Sequence, residues 1–310
     1  MGILLHFLTY VCMVIFLFAV VAKFIQYKSM PLHVRWELYP VAHEGKKAHY
    51  GGSYFEETNW WTHERKPDRV SELRHMIPEM LFLVAVRKHN PLLWLRTFPF
   101  HFGMYILIGF MGLLCAGAAA QQMAGASLTA GGALFTLTAA TGFAGTILGI
   151  LGALGLLHRR LMDEDLKDFT KPADILNLLF LMAVFILILV SGISDNSFGG
   201  LTDYVRSVIF FDVAFMPGNA ATAAAVVLGS LVVAYIPLTH MAHFVVKYFT
   251  YHNIRWDDTP NMRGSAHEKK IGEMLHYPCT WSAEHINPDG EQKSWLQVAV
   301  ENPALKKEGK

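Results

Sequence analysis

Five long apolar runs, at positions 3–26, 98–120, 131–157, 175–193 and 220–248, set the pattern of this chain, and nearly all its charge is crowded between them. Crossing a bilayer needs roughly 20 apolar residues in helical form. Each run meets that length, so the pattern predicts five transmembrane helices. A shorter apolar piece at 76–86 covers about half a span. Arg74, Arg87 and Lys88 flank it and Pro78 interrupts it, so it reads as a helix lying at the membrane interface. The piece at 207–216 is similar. The expected fold is an all-α integral membrane protein, a five-transmembrane-helix bundle. Its parts are transmembrane helix 1 (1–26), a loop with the interfacial helix (27–97), helices 2 to 5 forming the bundle (98–250), and a tail (251–310).

Charge placement orients the bundle. With the N-terminus outside and the C-terminus cytoplasmic, 25 of the 26 Lys and Arg residues fall on the cytoplasmic side, and only Arg206 falls outside. This is the asymmetry of the positive-inside rule. Loop and tail are then cytoplasmic, in a multi-pass membrane protein. The first run has no basic segment before it and no small-residue cleavage site, so it reads as a retained helix, not a signal peptide. Overall, 53% of residues are hydrophobic and 16% charged, against about 25% charged in soluble domains. A net charge of +1 argues against a nucleic-acid partner. Trp256, Trp281 and Trp295 punctuate the polar tail; such residues suit a docking arm for a cytoplasmic subunit, or a tail folded back on its own loop.

Three cysteines, Cys12, Cys115 and Cys279, lie far apart with no CxxC pair. That spacing offers no iron–sulfur or zinc site to this chain alone. Cys12 and Cys115 read as small core residues.

Ionisable residues inside membrane spans are costly and usually functional. Here they are histidines: His6, His101, His158, His240 and His243. No carboxylate sits mid-span and no pair of broken helices repeats between two halves, which argues against a proton-coupled transporter. His101 lies about one turn inside helix 2 and His243 about one turn from the end of helix 5, at matching depth. Two imidazoles at one level on separate helices suggest bis-histidine ligation of a haem iron through Nε2. His243 is preferred as the second ligand, with His240 as the alternative, since three residues along a helix turn direction by only about 60°. Gly103 and Gly109 would leave room for a macrocycle or serve plain helix packing. His158, heading His158-Arg159-Arg160, is a basic interfacial cluster or a contact to a haem propionate. His6 reads as interfacial, near a quinone at most. Gln121, Gln122 and Asp212 are the outer polar residues that could meet a quinone. The rival reading is a haem-free membrane anchor subunit for a peripheral redox enzyme.

Several segments resemble one family. Leu156-Leu157-His158-Arg159-Arg160-Leu161 followed by Pro172-Ala173-Asp174-Ile175-Leu176, Phe100-His101-Phe102-Gly103, and Pro237-Leu238-Thr239-His240-Met241-Ala242-His243 are similar, in order and spacing, to the gamma subunit of respiratory nitrate reductase. That subunit is a quinol-oxidising cytochrome b. The resemblance implies haem b and a menaquinone substrate, with His101 and His243 as ligands. The family pattern places the ligands of a second haem where this chain has Met111 and Ala225. One haem near the cytoplasm is therefore expected; a second would need His158, His240 or Met111. The long loop and the tail, with Trp256-Asp257-Asp258 and Thr280-Trp281-Ser282-Ala283, are similar to cytochrome b subunits of redox complexes in sulfate-reducing bacteria (the Tmc, Dsr and Hme types). That likeness implies anaerobic respiration linked to sulfate reduction. The implied partners are a cytoplasmic iron–sulfur subunit resembling heterodisulfide reductase and a periplasmic multihaem cytochrome c.

Overall fold

Each apolar run becomes a helix in the computed structural model, which describes residues 1–30, 53–64, 68–124, 132–280 and 291–301 and positions 41, 42, 44, 47 and 283. In chain order the α-helices are α1 (Gly2–Ser29), α2 (Arg69–Phe82), α3 (Val84–His89), α4 (Pro91–Ala124), α5 (Ala133–Met162) and α6 (Glu164–Lys167). They continue with α7 (Pro172–Ser194), α8 (Gly199–Ile209), α9 (Ala220–Tyr235), α10 (His243–Phe249), α11 (Ala266–Leu275) and α12 (Trp295–Val300). No β-strand forms among the described residues. Five helical segments are long and apolar enough to cross a membrane: α1, α4, α5, α7, and α9 extended by one 3₁₀ turn to Leu238. The chain is thus an all-helical, multi-pass membrane protein.

The fifth span is shorter than the apolar run suggests. Pro237 has no N–H to continue the helix. Thr239 is extended (φ −115°, ψ −178°), and a 3₁₀ turn, His240–Ala242, precedes α10. The expectation of one continuous helix over 220–248 is therefore corrected, and His240 and His243 both lie beyond the break. The interfacial piece is likewise two helices, α2 and α3, meeting at Leu83 in the left-handed conformation (φ 52°). Trp94 Nε1 donates to the Phe82 carbonyl at 2.8 Å, and Tyr105 Oη to the Met80 carbonyl at 2.8 Å, tying the end of α2 to α4.

The chain forms two units, one of residues 1–19 and 73–241, the other of residues 20–72 and 242–310. In the first, α4 packs on α5, α5 on α7 and α7 on α9, and α8 lies against α4. Glycines set the α4–α5 approach. A Cβ on Gly103 would fall 2.5 Å from the Gly149 nitrogen, and one on Gly152 2.3 Å from the Phe100 nitrogen. Small residues let helix backbones approach closely where lipid offers no hydrophobic drive. Two apolar clusters fill this unit. One gathers Phe100, Ala153, Leu181, Val184, Phe185 and Val232; the other gathers Leu5, Phe110, Leu114, Phe198, Leu201, Tyr204 and Val226.

Phe198 anchors the second cluster. It is 0% exposed, with ring centroids 4.9 Å from both Phe110 and Phe143. Gly142 and Gly192 make its slot, since a Cβ on either would meet the Phe198 ring at 2.5 or 2.3 Å. Getting the ring there takes three successive left-handed residues, Asn196, Ser197 and Phe198 (φ 42°, 50° and 74°). Such backbone costs about 1–2 kcal/mol per residue, and burial of the ring offsets it. Phe198→Ala is expected to lower stability by about 3 kcal/mol, read from the thermal unfolding of the detergent-purified protein.

In the second unit the tail folds onto the loop. Tyr54 Oη donates to the Asp258 carbonyl at 2.9 Å, His252 Nε2 lies 3.9 Å from Glu72 Oε2, and Phe24 meets Phe249 edge-on at 5.1 Å. Trp256 is only 4% exposed, packed on Tyr251 at 4.8 Å. At Trp256 the tail thus follows the second of its two readings, folded within its own unit, with the indole against Tyr251 and His252. Trp295 keeps a solvent-facing edge. Trp281 lies outside the described residues.

Candidate functional site

His101 sits on α4 two residues after Pro99, in the stretch where Gly103 and Phe100 press against α5. Its Nδ1–H donates to the Thr97 carbonyl at 2.8 Å, one helical turn back, with Thr97 Oγ1 at 3.2 Å. That bond selects the tautomer whose lone pair is on Nε2. Histidines that ligate metals almost always donate their other ring N–H to a carbonyl or carboxylate in this way. Phe100 lies across the ring at 5.5 Å in a T-shaped arrangement. The residues around His101 thus fit a haem ligand.

The other histidines are placed as follows. His240 is exposed in the 3₁₀ turn after the helix break, in the same unit as His101. His243 is exposed as the first residue of α10, in the second unit. The pairing of His101 with His243 therefore rests on sequence and family, not on packing within one unit. His158 is exposed at the end of α5. Its neighbours are engaged: Arg159 pairs with Asp163 at 3.3 Å and Arg160 with Asp174 at 3.2 Å. Gly103 packs against α5, whereas Gly109 has no described atom within 4 Å of its Cβ position and faces outward.

The positions of the second haem's ligands do not fit one. Met111 is 51% exposed and turned out of the bundle. Ala225 is buried and has no donor atom. Phe198 and its cluster fill the interior at that end.

His6 departs from its expected interfacial role. It is 1% exposed, with Nδ1 2.9 Å from the Gly2 carbonyl and Nε2 2.9 Å from Ser207 Oγ. Ser207 Oγ also donates to the Tyr204 carbonyl at 2.7 Å. Tyr204 Oη lies 2.7 Å from Thr9 Oγ1, which is 3.0 Å from Ser230 Oγ. This network fastens α1 to α8 and α9. Gln121 is buried, and its Oε1 has no hydrogen-bond partner among the described residues. Gln122 and Asp212 are exposed. Cys12 is buried as expected, but Cys115 is exposed on the outside of α4.

A polar pair and a polar trio also join these helices. Tyr235 Oη donates to Asn177 Oδ1 at 2.6 Å, joining α9 to α7. Thr222 Oγ1 donates to Asp195 Oδ2 at 2.6 Å and lies 2.8 Å from Ser191 Oγ. Their signal in the sequence is the placing of Asn177, Ser191 and Thr222 as polar residues in apolar helices, where interhelical hydrogen bonds are their usual use.

The family model described as "Nitrate reductase gamma subunit" matches residues 88–257, more than half of the chain. The chain belongs to the nitrate reductase gamma subunit family. Its members are membrane cytochrome b subunits that bind haem b and transfer electrons within multi-subunit redox complexes. The matched segment contains α4 to α10, and with them His101, His158, His240 and His243. No curated protein and no solved structure matches the chain.

Proposed function

We propose that this gamma-family subunit carries a single haem b between His101 and His243, near the cytoplasmic surface of a bacterial inner membrane. It passes electrons between the menaquinone pool and a cytoplasmic iron–sulfur subunit of the heterodisulfide reductase kind, with a periplasmic multihaem cytochrome c as a further partner. The N-terminus lies outside and the C-terminus inside, as the placement of basic residues argues. The Thr97-held imidazole of His101 carries the reading. Bound there, haem supplies one-electron chemistry whose potential follows its axial ligands and burial. Thr97 fixes the orientation of the His101 ring. Phe100, Val184 and Phe185 keep water from the α4 side of the site. The sulfate-reducer complexes remain the reading for loop and tail, which extend beyond the family match on both sides.

The test is a reduced-minus-oxidised spectrum of the purified protein with pyridine haemochrome quantification. The expected result is a cytochrome b α-band and one haem per chain. No band would leave the haem-free anchor standing, and two haems would refute the filled outer core as described. Single variants separate the second ligand: His243→Ala is expected to lose the band and His240→Ala to keep it.

A further inference from the structure

The second unit holds a cavity of about 440 Å³ lined by Phe24, Lys28, Tyr248, Phe249, Trp256 and Lys270, with His252 and Asp257 also in its wall. Phe24 and Lys28 belong to the last turns of the α1 span, so the cavity opens where that span ends. Neither Lys28 nor Lys270 forms an ion pair among the described residues. Asp257 is engaged instead with its own side of the wall: Oδ1 accepts from the Thr259 N–H at 3.1 Å, and Oδ2 lies 4.0 Å from His267 Nδ1. His252 is stacked on Tyr248 at 4.2 Å, and its Nδ1–H donates to the Tyr248 carbonyl at 2.9 Å.

We infer that this cavity binds the headgroup of an anionic phospholipid, its phosphate held by Lys28 and Lys270. Two lysines against one carboxylate leave a single positive charge, which matches the single negative charge of a phosphodiester. Aromatic rings with a polar edge, such as Tyr248 and Trp256, are at home at headgroup level. Phe24 and Phe249 offer apolar wall to the first carbons of the acyl chains. Basic pockets beside membrane helices on the cytoplasmic side take anionic headgroups by the same electrostatics. This site makes no use of the haem ligands, so its test is independent of the proposed electron-transfer role.

The full-length chain, extracted in detergent and stripped of bulk lipid, is titrated with phosphatidylglycerol in mixed micelles and followed by native mass spectrometry. The expected result is one retained lipid per chain. In the Lys28→Gln/Lys270→Gln double variant, binding falls roughly 30-fold. Lys28→Glu, a change at an exposed position that leaves the fold intact by circular dichroism, is expected to lose binding to a similar extent. Inorganic phosphate at the same concentration is expected not to displace the lipid. Unchanged binding in folded Lys28→Glu overturns the proposal. So does displacement by inorganic phosphate, which would mark a site for free anions.

Discussion

Purified protein with His101→Ala shows no haem α-band, whereas helix content by circular dichroism stays at the level of the unaltered chain. The full effect is expected because a bis-imidazole site cannot hold its iron with one ligand removed, and the other His candidates lie elsewhere. His101 is half-buried, and its ring makes a local bond to Thr97 one turn away. Alanine therefore leaves the α4–α5 contact untouched. A His101→Ala protein that kept its spectrum would remove this residue from the site.

The second large effect is steric. Gly103→Ala and Gly152→Ala are each expected to destabilise the bundle by about 3 kcal/mol and to lower the haem content per chain. At Gly103 the added methyl meets the Gly149 nitrogen at 2.5 Å and the Gly145 carbonyl oxygen at 2.7 Å. At Gly152 it meets the Phe100 nitrogen, Cα and Cβ at 2.3 to 2.6 Å. Backbone atoms cannot swing aside as a side-chain tip can, so α4 and α5 must part. Phe100 and His101 are adjacent, and separation at Phe100 moves the ligand. Gly109→Ala is the control: among the described residues nothing lies within 4 Å of its Cβ position, so neither melting temperature nor haem content should change.

These two effects bear on what the sequence made legible. The spans were readable because roughly 20-residue apolar runs have few alternative explanations. His101 was readable because an imidazole in such a run is costly and rarely idle. The end of the fifth span is hidden in the sequence, even with Pro237 in the run: apolarity continues to Tyr248, and hydropathy does not register a missing N–H. The role of Gly103 is open in the sequence, because a glycine spaced for helix contact looks the same as one that clears space for a ligand. Trp256 is ambiguous in the sequence, a docking residue or part of a folded-back tail, because its neighbours are charged; its burial against Tyr251 and His252 is packing that charge does not register. The Phe198 plug had no signature at all. Nothing in Asn196-Ser197-Phe198 announces three left-handed residues; only the slot formed by the nearby Gly192 together with Gly142, far away in sequence, makes that conformation worthwhile.

The contact between His6 and Ser207 has a consequence of its own. A serine owns one hydroxyl hydrogen, and here two acceptors lie within its reach, the Tyr204 carbonyl and His6 Nε2. Alanine at 207 would take that hydrogen away, so the fully buried Nε2 would lose its counterpart on α8, and the first span would lose a latch to the helix beside it.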